Sequence, residues 1–524
     1  MSRRKEKPLL ENVLIEAVAA EGNSLAHVDG KVLFVPQTVP GDVVDVQVRK
    51  ARKGYLEGYV TRLVTPSPHR LQPVCKHYGD CGGCKWQILP YEMQLAAKQQ
   101  QVVDQLSRIG HLALPEVSPI IGSDLQYFYR NKLEYTFSSR RWVLRGEDPE
   151  SIAPADRCGL GFHVGGMFDK VLDIEFCHLQ AEPSNALRNF VRAYAVEHGL
   201  SFFDLREQTG LLRNMVVRTA STGEIMVTVV FGPEGVESAV GGASSAGGAS
   251  SGGGSSSGEH CTADPVEVSR FTLAPGSPAA NLLDAVIKEF PQITSLNYVI
   301  NSKRNDTFND LETHTWAGCD CIYEQMESLR FKVGPKSFYQ TNSAQAYKLY
   351  STVRRFALDN EKLAADNKYV SVPDKPVVYD LYTGTGTIAL FLSAMASKVV
   401  GVEYVPEAIE DAKANAALNG IDNSVFYAGD MKDILNASFI GANGNPAIVV
   451  LDPPRAGIHP DVAEVLMAAS PARIIYVSCN PASQARDLAL FADSYDLLAV
   501  QPVDMFPQTH HVENVVYLAK RLKI

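Results

Sequence analysis

From residue 377 to the end of the chain, short apolar runs alternate with stretches of helical periodicity, a pattern that few folds accommodate. The runs fall at 377–380, 399–403, 425–427, 447–451, 473–477, 497–500 and 515–518. Apolar strands separated by helices are buried on both faces, so the alternation predicts a doubly wound, Rossmann-like α/β sheet. Such sheets bind ligands at the carboxyl ends of their strands, which makes the residue after each run the one to read for chemistry.

The first run leads into Leu381-Tyr382-Thr383-Gly384-Thr385-Gly386-Thr387, a glycine-rich turn opening a helix over 388–395. The second ends in Glu403, 23 residues after Asp380, where dinucleotide folds place an acid for ribose hydroxyls. Gly384-x-Gly386-x-x-Ala389 also fits a nicotinamide fingerprint. The fourth run ends in Asp452-Pro453-Pro454-Arg455, a motif of nucleic-acid methyltransferases, and that moves the choice to S-adenosylmethionine. The fifth run ends at Cys479, and Glu513 lies 34 residues on, ahead of the last run. A lone cysteine is more often a core residue than a reagent. A thiol and a carboxylate at one sheet edge, however, are a nucleophile and a general base.

Upstream the chain changes character. Residues 10–66 read as short strands joined by Asp29-Gly30 and Pro40-Gly41-Asp42, which predicts a small β-barrel. The stretch 29–36 with Pro40-Gly41-Asp42 resembles a TRAM domain, an RNA-binding barrel. The net charge of −10 argues mildly against a nucleic-acid partner. Between Arg49 and Lys76, however, seven basic residues face one carboxylate, Glu57, and local charge is what meets a phosphate.

Nine cysteines, three of them in Cys75-x5-Cys81-Gly82-Gly83-Cys84, suggest a metal or catalytic role in a reducing compartment. Zinc would want a second cysteine or histidine pair close by, and the next cysteines are Cys158 and Cys177. Three clustered thiols and one distant one suit an iron–sulfur cluster better, with zinc second. Cys319 and Cys321 begin an apolar strand and read as core. A helix is expected over 90–110, and an α+β module beyond it to about 332, interrupted by a Gly/Ser-rich insertion at 241–258 whose composition cannot repay ordering. The expected domains are therefore 1–68 (barrel), 69–332 (α+β, carrying the cysteine set) and 333–524 (the doubly wound domain).

At this point a resemblance spans most of the chain. The stretch 379–386, Asp452-Pro453-Pro454-Arg455-Ala456-Gly457, Val477-Ser478-Cys479-Asn480-Pro481 and His511-Val512-Glu513 resemble the motifs of the RNA uracil-5-methyltransferase family, the TrmA/RlmD group. With the barrel and the cysteines, the chain is most similar to the RlmD-type enzymes of 23S rRNA. The resemblance implies an S-adenosylmethionine-dependent class I methyltransferase acting on C5 of a uridine, in ribosomal RNA first and transfer RNA second, as a monomer. It implies cofactor contacts at Gln340, Tyr382, Gly384, Gly386, Thr387, Glu403 and Asp452, a nucleophile at Cys479 and a base at Glu513. It also implies a [4Fe-4S] cluster on Cys75, Cys81, Cys84 and Cys177. The Gly/Ser-rich insertion, the longer segment 360–375 and Thr387 depart from the family pattern.

Two other classes compete. An amino-group methyltransferase would use Asp452-Pro453-Pro454 without needing Cys479 or Glu513. An iron–sulfur ribosome-assembly factor could keep the fold without the reaction. No run of apolar residues is long enough for a membrane span, and Glu11 and Glu16 break any secretory apolar core, so a cytoplasmic location is expected.

Overall fold

The structure, a computed structural model, describes residues 7–144, 146–234, 273–359 and 368–522. The Gly/Ser-rich insertion at 241–258, Cys261 and residues 360–367, half of segment 360–375, lie outside them. Among the described residues no helix is long and apolar enough to cross a membrane.

Six strands come first: β1 (Leu9–Leu14), β2 (Ala17–Val18), β3 (Ser24–Val28), β4 (Lys31–Val35), β5 (Val43–Ala51) and β6 (Tyr55–Thr65). They pair in the order β1-β5-β6-β4-β3-β2 around Ile15, Leu33, Val35, Val44 and Val46. Asp29 and Gly30 take φ of 49° and 73°, the doubly left-handed pair a tight hairpin needs. Three of the seven basic residues between Arg49 and Lys76 pair with carboxylates outside that stretch, and Lys50 pairs with Glu57 at 2.7 Å. Arg62 meets Asp45 at 2.7 Å, Arg70 meets Asp42 at 2.6 Å, and Lys76 reaches Glu175. Part of the positive charge read from the sequence is thus balanced within the fold, while Arg49, Arg52 and Lys53 have no ion pair among the described residues.

The middle of the chain contributes a seven-stranded sheet: β7 (Lys132–Ser138), β8 (Gly159–His163), β9 (Val171–Asp173), β10 (Leu212–Thr219), β11 (Ile225–Phe231), β12 (Ser295–Ile300) and β13 (His314–Gly318), ordered β13-β12-β11-β10-β7-β8-β9. A hairpin, β14 (Ile322–Met326) with β15 (Leu329–Val333), follows.

The last sheet holds β16 (Val377–Leu381), β17 (Lys398–Glu403), β18 (Ser424–Ala428), β19 (Ile448–Leu451), β20 (Arg473–Ser478), β21 (Tyr495–Val503) and β22 (Glu513–Lys520). Its order is β18-β17-β16-β19-β20-β22-β21. The first five strands run parallel, while β22 enters antiparallel between β20 and β21. This insertion sets the start of β22 beside the end of β20, with Asn514 paired to Ser478. The helix over Ser343–Leu358 covers one face with Leu349, Val353 and Phe356. The other face is covered partly by the helix over Tyr91–Arg108, which buries Val102 and Leu106 among Tyr379, Leu381 and Tyr476.

Candidate active site and cysteine cavity

The chain turns sharply where β16 ends. Tyr382, Gly384 and Gly386 have φ of 68°, 55° and 80°, so three of five consecutive residues are left-handed. Gly386 is fixed by packing, since a Cβ there would stand 2.9 Å from the Ala412 methyl. Gly384 faces open space, and its N–H donates to Glu403 Oε2 at 3.2 Å. The other oxygen of Glu403 accepts from the Val405 N–H at 3.0 Å, so the acid at the end of β17 is held between two backbone donors. Behind the turn, Asp380 accepts from Thr383 Oγ1 at 2.6 Å, and burial pushes its carboxyl up to about 7.

Three further groups meet where β19 and β20 end and β22 begins. Burial, reinforced by the charge of Asp380, pushes Asp452 up to about 7. Glu513 is driven well above the carboxylate range by burial and then by Asp452, with Arg455 opposing. The half-buried thiol of Cys479 is raised by burial and by Glu513, while Arg455 lowers it through charge and a hydrogen bond. Asn480 fastens this corner: its Nδ2 donates to the Arg455 carbonyl at 3.0 Å, and its Oδ1 accepts from the Ala482 N–H, capping the helix that follows.

Gln340, Tyr382, Gly384, Glu403, Asp452, Cys479 and Glu513 all line one cavity of about 1190 Å³. Gly386 and Thr387 do not border it; Thr387 is buried, its hydroxyl 3.3 Å from that of Thr385. Three contributors escaped the sequence reading. Arg455, quoted only as part of a motif, is the cation shared by Cys479 and Glu513. Tyr350 is buried and hydrogen-bonded to Gln340. Phe506 lines the cavity under the guanidinium of Arg130, 5.3 Å from its ring centroid. Neither Tyr350 nor Phe506 lies in a recognisable motif.

The loop from Asp504 to Glu513 is clamped from behind. Lys85 and Trp86, immediately after Cys84, both donate backbone N–H groups to Gln508 O, at 2.8 and 3.1 Å. Cys75, Cys81, Cys84 and Cys177 line a second cavity of about 930 Å³, which Thr509 of the same loop also borders. Burial raises all four thiols, Cys84 to about 11 and Cys177 to about 12. Each sulfur nevertheless receives a hydrogen bond: Cys75 from the His77 and Tyr78 backbone, Cys81 from Gly83, Cys84 from the Gln87 side chain and Cys177 from Leu179. Among the described residues, no three His, Cys, Asp or Glu side chains stand close enough to hold a single metal ion. Cys321 is buried and Cys319 half-buried, and neither borders either cavity.

Comparison with known proteins places these features in context. Residues 370–521 match the tRNA (Uracil-5-)-methyltransferase family model, and residues 11–61 match the TRAM domain. An uncharacterized RNA methyltransferase of Bacteroides thetaiotaomicron is 51% identical over 504 residues, covering 96% of this chain and all of the relative. One from Porphyromonas gingivalis is 49% identical over 513 residues, covering 97% and 99%. The fold is also that of the Pyrococcus abyssi tRNA (uracil-54, C5)-methyltransferase solved with S-adenosyl-L-homocysteine. There the TM-score is 0.67 at 23% identity, over 97% of this chain and 100% of that one.

Proposed function

Since the chain belongs to the S-adenosylmethionine-dependent RNA methyltransferases of the uracil-5 type, we propose that it methylates C5 of one uridine in RNA, most specifically ribosomal RNA, through a covalent adduct to Cys479. The observation that carries this reading is the convergence of Cys479, Glu513 and Asp452 on one 1190 Å³ cavity that also receives the glycine turn and Glu403. S-adenosylmethionine supplies an electrophilic methyl group; Gly384, Glu403, Tyr382, Gln340 and Asp452 are the residues that would hold it.

Uracil C5 is a poor nucleophile, and the remaining residues answer that difficulty. Cys479 loses its proton and its sulfur adds to C6, which moves the C5–C6 electron pair toward C5 and O4. C5 then takes the methyl group. Glu513, as carboxylate, removes the C5 proton, and the returning electron pair expels the thiolate. Arg455 favours both anions this sequence requires. The target base must leave its stack to reach the cavity, which costs least in an unpaired segment.

The four cysteines are proposed to hold a [4Fe-4S] cluster. Four sulfurs that line one cavity, raised as thiols yet each met by a hydrogen-bond donor, suit thiolates neutralised by bound iron. Methyl transfer needs no electron, so the cluster's part is structural.

The test is mass spectrometry after incubation with S-adenosylmethionine and 5-fluorouridine-substituted ribosomal and transfer RNA. Fluorine cannot leave C5 as a proton, so a methylated RNA adduct should accumulate on Cys479, and sequencing the trapped RNA names its class. Absence of an adduct from folded, cofactor-binding protein would refute the covalent route and favour an amino-group methyltransferase or an assembly factor.

A further inference from the structure

Arg213 is wholly buried, and its charge is spent on one loop. Nη1 donates to the Asn301 and Lys303 carbonyls at 2.8 and 2.6 Å, and Nη2 to the Asn305 carbonyl and Asp306 Oδ1 at 2.9 and 2.8 Å. Burying a guanidinium is costly, so a loop that consumes four of its hydrogen bonds is held in one shape. That shape turns Arg304 onto the wall of the 930 Å³ cysteine cavity. Its neighbour Lys303 pairs with Asp310, whereas Arg304 has no ion-pair partner among the described residues.

The same cavity wall carries Phe168 and Phe176, 68% and 38% exposed, so their rings stand at its mouth. One face of Phe168 is backed by Arg206, 5.9 Å from the ring centroid and itself tied to Asp169 at 2.6 Å. Phe176 packs edge-on to His178 at 4.7 Å and to Phe128 at 6.4 Å. Arg130 also lines this cavity while lying over Phe506 of the catalytic cavity, so the two spaces share a wall.

We propose that the mouth of the cysteine cavity is a docking site for the single-stranded RNA that flanks the target uridine, with bases stacked on Phe168 and Phe176 and a phosphate on Arg304. The proposal rests on the RNA uracil-5 reading above and adds to it where the flanking strand lies. Extruding a uridine unstacks its neighbours, and aromatic platforms on the cavity next to the catalytic one return that stacking. An arginine without an ion pair, on the wall of the cavity that these exposed rings also line, complements a phosphate, and an apolar partner would leave it buried without a counter-ion.

The test uses full-length protein purified with its cysteine-bound group, and a single-stranded RNA decamer of alternating uridine and adenosine, with 5-iodouridine for photocrosslinking. Phe168→Ala/Phe176→Ala should weaken decamer binding by about tenfold or more with the salt dependence unchanged. Arg304→Gln should weaken it and flatten the slope of log affinity against log salt by about 0.7, with Arg304→Lys restoring the slope. Crosslinks should map to residues 162–178. Wild-type affinity and slope in both Phe168→Ala/Phe176→Ala and Arg304→Gln, or crosslinks confined to the barrel, would overturn the proposal. The milder Phe168→Leu/Phe176→Leu variant, with S-adenosylmethionine binding checked, separates lost stacking from lost folding. If wild type forms no adduct with any 5-fluorouridine RNA, the catalytic reading falls, while the decamer experiment still reports on the docking site.

Discussion

Lys98 and Asp504 form an ion pair at 2.6 Å in which both side chains are wholly removed from water. It joins a helix some 400 residues upstream to the loop that delivers Glu513. Lys98 also donates to the Phe506 carbonyl at 3.0 Å, and Asp504 accepts from Tyr91 Oη at 2.8 Å and from the Phe506 N–H at 3.1 Å. Burial lowers the Lys98 ammonium, with Asp504 opposing. Lys98→Met leaves a buried carboxylate uncompensated and should cost about 3–5 kcal/mol. Thermal unfolding followed by calorimetry reads the loss, and Lys98→Met/Asp504→Asn should recover part of it. Equal destabilisation in the single and double variants would show that the pair is not what holds the loop.

Cys479 and Glu513 are expected to fail at different steps. Cys479→Ala should form no adduct and no product while still binding S-adenosylmethionine. Glu513→Gln leaves addition and methyl transfer possible but removes the base for C5. It should lower turnover by about 10²–10⁴-fold and accumulate a protein–RNA species on unsubstituted RNA, visible on denaturing gels. Loss of the adduct in both variants would place Glu513 before addition rather than after it.

These two residues were legible because Cys479 follows one strand of a periodic series and Glu513 opens another, and strand termini are where such sheets place chemistry. Glu403 and Asp452 were found in the same way. The Lys98–Asp504 pair was not, since nothing local marks two charges that meet only when a helix from the first hundred residues packs on the last sheet. The insertion of β22 between β20 and β21 was equally silent: strand periodicity fixes which face is buried, not which neighbour pairs. Three of the seven charges of the basic stretch, Arg62, Arg70 and Lys76, meet Asp45, Asp42 and Glu175, acids that lie outside it and so were not visible beside it. Thr387 was placed with the cofactor by the family resemblance alone; it opens a helix and is buried, off the lining of the catalytic cavity.

Activity should rise with pH. Cys479, Glu513 and Asp452 all have raised values, so each stays in its neutral form to higher pH than an exposed counterpart. The reaction needs the thiolate and the Glu513 carboxylate, and both populations grow as pH increases. The profile of kcat/KM, which reports the free enzyme, should therefore climb from neutral into alkaline pH. Arg455→Met removes the cation that lowers both groups and should shift the rise to higher pH. An unshifted profile would mean that Arg455 does not act on the titrating groups.

Asp380 gives a stability effect of the opposite sign. Its carboxyl is pushed from 3.8 up to about 7 by burial, so the folded state holds a proton that the unfolded chain releases near 4. Its stabilising contribution is complete below pH 4 and is lost as pH rises through about 7. Asp380→Asn keeps an acceptor for Thr383 Oγ1 without the titration. Thermal unfolding between pH 5 and pH 8 should therefore show a smaller decline in the variant than in wild type. The same decline in both would assign the pH dependence to Asp452, whose value is also about 7.

The cysteine set yields a prediction that does not depend on methyl transfer. Protein purified without oxygen should carry iron and sulfide at about four atoms each per chain. Cys177→Ser should lose them although this residue lies 93 positions beyond Cys84 in sequence, because all four sulfurs line one cavity. Cys158→Ser, outside that cavity, should keep them. Lys85 and Trp86 tie the end of the cysteine motif to Gln508, so loss of the cluster should also speed amide exchange across residues 504–513. Full iron content in Cys177→Ser would exclude it as a ligand. One zinc ion in place of iron would replace the cluster with a single-ion site.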